Sequence, residues 1–67
     1  MHHVAVRIAH LIYNAALRRF EAVVEFFSPG LPAPMRVPVR VHAAPDMGHR
    51  RLVRALTHEA RRRGGIY

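Results

Sequence analysis

A strict period-two alternation between Met35 and Ala43 constrains the fold more than any other feature of the sequence. Apolar and non-apolar positions alternate there as Met35, Val37, Val39 and Val41 against Arg36, Pro38, Arg40 and His42. Successive side chains of a β-strand point to opposite faces, so the pattern predicts a strand with one apolar and one basic face. Pro38 cannot donate to a ladder, which places this strand at a sheet edge or at a bulge. A lone strand is unstable, so partner strands are required.

Residues 4–12 and 19–27 are the candidate partners. In the second segment, Phe20, Ala22, Val24 and Phe26 alternate with Arg19, Glu21, Val23 and Glu25. The intervening segments are as short as hairpins require. Together these features predict a three-stranded antiparallel meander. A helical interpretation of residues 4–27 stays open, because Arg7, His10, Asn14, Arg18, Glu21 and Glu25 recur at spacings of three and four. That alternative has a long N-terminal helix, a short β segment and a C-terminal helix.

The meander predicts which side chains lie on the sheet face that no helix covers. With strand 19–27 in the centre, Glu21 and Glu25 point outward between Arg7 on one side and Arg36 and Arg40 on the other, where cross-strand pairs form. Four apolar side chains are expected on the same face: Leu11, Tyr13, Val23 and Phe27. Apolar residues on an open face indicate a covered surface. We therefore expect a homodimer, formed through this face or through the Pro38 edge.

The C-terminal segment has the pattern of an amphipathic helix from Met47 to Arg63. Its buried stripe is predicted to consist of Leu52, Val53, Leu56 and Ala60. Asp46 is the expected N-cap, and Gly64 and Gly65 end the helix. The expected fold class is therefore α+β, with a three-stranded antiparallel sheet packed against one C-terminal helix in a single domain, residues 1–67.

Composition argues against catalysis. The chain has 67 residues and no cysteine, and its single serine and threonine are Ser28 and Thr57. So short a chain has little volume for a pocket, and no nucleophile–base pattern or glycine-rich phosphate loop is present. Met1-His2-His3 could chelate copper or nickel, but such termini are common by accident. We expect no enzyme activity, no cofactor and no metal site.

Arginine is the dominant charged residue. The chain contains 11 arginines, no lysine, and a formal net charge of +7. Guanidinium groups fit phosphate and carboxylate oxygens, so the partner is expected to be nucleic acid or an acidic protein surface. The candidate binding residues are Arg50, Arg51, Arg54, His58, Arg61, Arg62, Arg36 and Arg40. Two simpler explanations remain open: a solvated basic face without a partner, and the arginine bias of a GC-rich genome.

Polar residues in the apolar N-terminal stretch argue against a membrane span there. Arg7, His10 and Asn14 break residues 4–17 into pieces shorter than the roughly 20 apolar residues of a bilayer span. The helix stripe also lacks the aromatic residues usual at membrane interfaces. A cytoplasmic protein with no small-molecule substrate and no membrane partner is expected.

The sequence also resembles small phage- or prophage-encoded inhibitors, including anti-CRISPR proteins, in size and build. The resemblance rests on the strand VPVRVHA (Val37–Ala43), the helix HRRLVRALTHEARRR (His49–Arg63) and the lack of an active site. It implies a non-enzymatic inhibitor that binds a host defence ribonucleoprotein complex. Many anti-CRISPR proteins are acidic mimics of nucleic acid, whereas this chain is basic. A basic inhibitor would bind an acidic patch or compete for nucleic acid.

Overall fold

The computed structural model describes residues 5–64, which form a sheet and one helix. Three strands, β1 (Ala5–Asn14), β2 (Arg19–Phe27) and β3 (Met35–His42), precede the helix α1 (His49–Gly64). The strands form an antiparallel sheet in the order β1-β2-β3. The α+β meander is confirmed, and the long N-terminal helix is wrong. The Met1-His2-His3 pattern, Val4 and Gly65 lie outside the described residues.

The core lies between α1 and one face of the sheet. It consists of Phe20, Ala22, Val24, Phe26, Val37, Val39, Leu52, Leu56 and Ala60. Leu56 and Val24 are fully buried, whereas Val53 is only half-buried. The helix packs mainly on β3 and less on β2. As the alternation predicted, the even-numbered residues of β2 supply the apolar face.

A bulge in β1 reverses the predicted facing of its second half. Ala9 pairs with Val23 but Ile12 pairs with Glu21, so two residues of β1 lie opposite one residue of β2. The extra residue moves Ile12 to the outer face and brings Tyr13 inward, which makes the expected outward position of Tyr13 wrong. The Tyr13 ring meets that of Phe20 edge-on at a centroid distance of 4.8 Å. Its hydroxyl donates to the carbonyl of Ala43 at 3.3 Å.

The bulge depends on a left-handed residue. His10 has φ of 55°, where the Cβ of an L-residue costs about 1–2 kcal/mol. Its side chain is exposed, so replacing it removes little packing. We expect the His10→Gly variant to be more stable than His10→Ala by about 1 kcal/mol in urea unfolding, after the greater entropy of glycine in the unfolded chain is subtracted. An alanine variant as stable as the glycine variant would contradict this backbone conformation.

The start of α1 also differs from the prediction. The amide of Met47 donates to the carbonyl of Ala44 at 3.1 Å, which closes a turn with Pro45 and Asp46 at its centre. The first helical bond runs from the amide of Leu52 to the carbonyl of Gly48 at 2.9 Å. Asp46 is therefore not the N-cap, because Pro45 favours a turn that ends before the helix begins. Gly48 occupies the cap position.

Candidate nucleic-acid interface

The charge of the outer sheet face is partly neutralised by Glu25. Its Oε2 lies 2.8 Å from Nε of Arg36, and its Oε1 lies 3.5 Å from Nε of Arg7. The three residues are cross-strand neighbours in the register, which confirms the predicted row. Arg36, a candidate binding residue, is thus engaged with Glu25 on the face opposite α1.

Glu21 is held by its own strand and by β1. Nε of Arg19 donates to Oε2 of Glu21 at 2.6 Å, and the side-chain Nδ2 of Asn14 donates to the same oxygen at 3.5 Å. The hydrogen bond from Arg19 is the main reason that the pKa of Glu21 lies below its ordinary value. Arg40 acts on this carboxylate only through space and makes no ion pair within the described chain.

In the C-terminal half of α1, Glu59 neutralises part of the arginine charge. Nη2 of Arg62 donates to Oε1 of Glu59 at 2.6 Å, and Nε of Arg63 donates to the same oxygen at 3.1 Å. These bonds, first that of Arg62, hold the pKa of Glu59 below its ordinary value. The guanidinium carbon of Arg61 lies 5.5 Å from the ring centroid of Phe26, a cation–π contact. Arg61 and Arg62 therefore already have intramolecular partners.

The lowered pKa values of Glu21 and Glu59 predict how stability changes with pH. Both groups ordinarily titrate near 4.5, and both bind protons less readily when folded. Their contribution to stability is therefore complete above that pH and is lost as the pH falls through the folded-state values. We expect Glu59→Gln to weaken this acid dependence. Urea unfolding of both proteins over a pH series checks it, because the two curves should converge in acid. A gap that stays constant across the series would contradict the Glu59 ion pairs.

The N-terminal half of α1 carries three uncompensated positive charges. Arg50, Arg51 and Arg54 are exposed, and none of them forms an ion pair with another residue of the described chain. Arg51, Arg54 and His58 line one shallow groove with Met47 and Ala55. We call Arg50, Arg51, Arg54 and His58 the basic face. The structure thus brings four of the eight candidate residues together on one side of the helix.

Arg40 joins this surface from the sheet. A second groove, between α1 and β3, is lined by Arg19, Arg40, Val41, His42, Ala55, His58, Glu59 and Arg63. It shares His58 and Ala55 with the first groove, so the basic surface continues from the helix to the edge strand. Arg36 lies further along β3 beside Glu25 and is not among the residues of either groove.

The helix N-terminus adds donors that the sequence interpretation missed. Within residues 5–64, nothing accepts a hydrogen bond from the amides of His49, Arg50 and Arg51. The first turn holds no acidic residue, although the helix dipole favours one there. A side chain at Gly48 would meet nothing within 4 Å, so the backbone is open to approach. The lack of Ser, Thr, Asn or Asp directly before His49 is the signal for this uncapped end.

Residues 5–64 contain neither a cluster of metal-ligating side chains nor a membrane-spanning helix. Between Ala5 and Gly64, no three His, Asp or Glu side chains come together as a metal site. Over the same residues, no helix has the length and apolarity to cross a bilayer.

Similarity to known proteins gives no lead to the function. No protein-family model, no curated protein and no solved structure matches the chain. What the protein binds must be inferred from its own side chains.

Proposed function

We propose that the protein is a non-enzymatic module that binds nucleic acid by docking its basic face on backbone phosphates. One observation carries the proposal: Arg50, Arg51 and Arg54 are exposed without carboxylate partners, beside an uncapped helix N-terminus. By contrast, Glu21, Glu25 and Glu59 each neutralise arginines elsewhere.

A bound phosphate would stabilise the N-terminal end of α1 more than water does. Cations in the first turn oppose the helix dipole, so Arg50 and Arg51 weaken the free helix. A phosphate at that end would accept from the free amides and from the guanidinium groups together. The ligand would thereby relieve a repulsion that the free protein carries.

The expected binding is weakly sequence-specific. Backbone phosphates carry no direct sequence information, and of the five aromatic residues Phe20 and Phe26 are buried in the core. Base stacking on aromatic rings is therefore not the main contribution. A cytoplasmic protein of this kind would meet RNA and DNA alike.

The salt dependence of binding tests the proposal. Each neutralised phosphate contributes about −0.9 to the slope of log affinity against log salt on duplex DNA, so three arginines predict a slope of about −3. Fluorescence anisotropy with two duplexes of unrelated sequence, one DNA and one RNA, should show this slope and similar affinities. Absence of binding to either duplex at low salt would reject the proposal.

A second function, inhibition of a host defence ribonucleoprotein complex by protein binding, is favoured by a different observation. Ile12 and Phe27 lie exposed on the sheet face opposite the helix. Exposed apolar side chains on a solvent face are typical of protein contacts. A stoichiometric protein complex that survives nuclease treatment would support this function, and loss of all partners after that treatment would favour the first.

A further inference from the structure

The sheet face opposite α1, the outer face, is organised in rows across the three strands. Its central row is apolar and contains Ala9, Val23 and Pro38. The rows on either side are charged: Arg7, Glu25 and Arg36 on one, and Ile12, Glu21 and Arg40 on the other. Nothing in residues 5–64 packs over these rows, because the helix occupies the other face.

The carboxylate of Glu25 lies beneath the arginines of the outer face. The Glu25 side chain is only 6% exposed, whereas the side chains of Arg7 and Arg36 are 70% and 68% exposed. Oε1 of Glu25 is buried and accepts no hydrogen bond from the described residues. Arg40 is exposed on the same face. An approaching molecule therefore meets positive charge on both sides of the apolar row.

The apolar part of this face is substantial. Ile12 is 57% exposed and Phe27 is 39% exposed, and Pro38 is exposed in the central row. Phosphate oxygens gain nothing from such side chains, so nucleic acid matches this face less well than the basic face. A partner must offer apolar side chains to the centre and negative charge to the flanks.

A second copy of the chain is a poor match. Two outer faces brought together would place the exposed Arg7, Arg36 and Arg40 of one copy near the exposed arginines of the other, while Glu25 stays buried. Like charges facing each other across an interface oppose association. A homodimer through this face, which the sequence analysis expected, is therefore less favourable than a partner that brings negative charge.

We propose that the outer face binds an acidic amphipathic helix of another protein. The helix would place an apolar stripe on Val23 and Pro38, and its carboxylates would meet Arg7, Arg36 and Arg40. The geometry is suitable, because three strands spaced about 4.8 Å apart span about 10 Å, close to the diameter of one helix. One helix, α1, already covers the inner face of the same sheet.

The probe is a synthetic 16-residue helical peptide (about four and a half turns) with a leucine stripe flanked by glutamates. Its matched control keeps the leucine stripe and replaces every glutamate with lysine. Calorimetric titration of the full chain should show the acidic peptide binding at least about tenfold more tightly than the control, since two or three arginine–carboxylate contacts separate them. Equal affinities would overturn the proposal.

Two variants locate the peptide. Ile12→Glu and Pro38→Glu each place a negative charge on the outer face. Both positions are exposed, so the fold should persist. Each variant should bind the acidic peptide about tenfold more weakly, because the new charge repels its carboxylates. Leu31→Glu, at an exposed position of the loop between β2 and β3, is the matched control and should leave binding unchanged.

Three further outcomes would overturn the proposal: no binding of the acidic peptide, equal loss from all three variants, or a homodimer whose dissociation is required for peptide binding. Arg7 and Arg36 lie on the face opposite α1 and outside both grooves of the basic surface, whereas Arg40 borders the second groove, so Arg7 and Arg36 distinguish the two sites. A duplex that binds while the peptide does not would therefore reject this inference and leave the proposed function standing.

Discussion

Replacing Leu56 with alanine should lower the free energy of unfolding by about 2–5 kcal/mol. Leu56 is fully buried in the core between α1 and the sheet, and truncating it leaves a cavity that a small sheet cannot close. A domain of this length has a total stability of roughly 3–10 kcal/mol, so the variant should be largely unfolded or close to it. Circular dichroism during urea unfolding measures the change.

Arg54→Ala is the matched control for this truncation. Arg54 lies on the same helix, two residues before Leu56, but its side chain is exposed. Its removal should change the free energy of unfolding by no more than about 0.5 kcal/mol. An Arg54→Ala variant that unfolds, or a Leu56→Ala variant as stable as the parent, would contradict the orientation of α1 on the sheet.

Changing Arg50, Arg51 and Arg54 to glutamine together should reduce affinity for duplex DNA by about 100-fold at about 50 mM salt. The reason is the loss of three phosphate contacts while the neutralised arginines elsewhere are kept. Glutamine is a good helix former, so the fold should persist, and relief of the unfavourable charges in the first turn should leave stability unchanged or slightly raised. Anisotropy and thermal unfolding measure the two effects.

Two single substitutions that remove the same charge test whether affinity depends on contacts of the basic face or only on the net charge of the protein. Arg54→Gln and Arg18→Gln each remove one positive charge, but Arg18 lies in the turn between β1 and β2. Only Arg54→Gln should reduce affinity appreciably. Equal effects of the two variants would mean that duplex binding follows net charge and not the basic face.

The sequence pattern was sufficient for the strands and the helix because their periodicities differ. Alternation in 35–43 and 19–27 has period two, and the stripe of Leu52, Leu56 and Ala60 has a helical period. The need of an edge strand for a partner then decided between a meander and a long first helix. Both steps depend on where apolar side chains recur, which a sequence states directly.

The bulge could not be predicted in the same way. Its left-handed residue is His10 and not glycine, and the surrounding residues are apolar, so no turn residue marks the position. One inserted residue is enough to exchange the faces of Ile12 and Tyr13. The buried contact between Tyr13 and Phe20 compensates the strain, and it becomes visible only when the strands are paired.

The candidate site was predicted only in outline. The sequence placed six of the eight candidate residues on one helix, but which arginines are neutralised depends on side-chain geometry. Glu59 reaches Arg62 and Arg63, Arg61 stacks on Phe26, and Glu25 takes Arg36. The uncapped helix end followed from a turn at Pro45 that displaced Asp46 from the cap.

Amide chemical shifts during titration of the labelled protein with a short DNA duplex test the central claim most directly. The largest shifts should fall on Gly48, His49, Arg50, Arg51 and Arg54, where free amides and unpaired guanidinium groups meet. Amides of the outer sheet face, such as those of Arg7 and Val23, should change little. Largest shifts on that sheet face, or shifts spread evenly over the chain, would contradict nucleic-acid binding by the basic face.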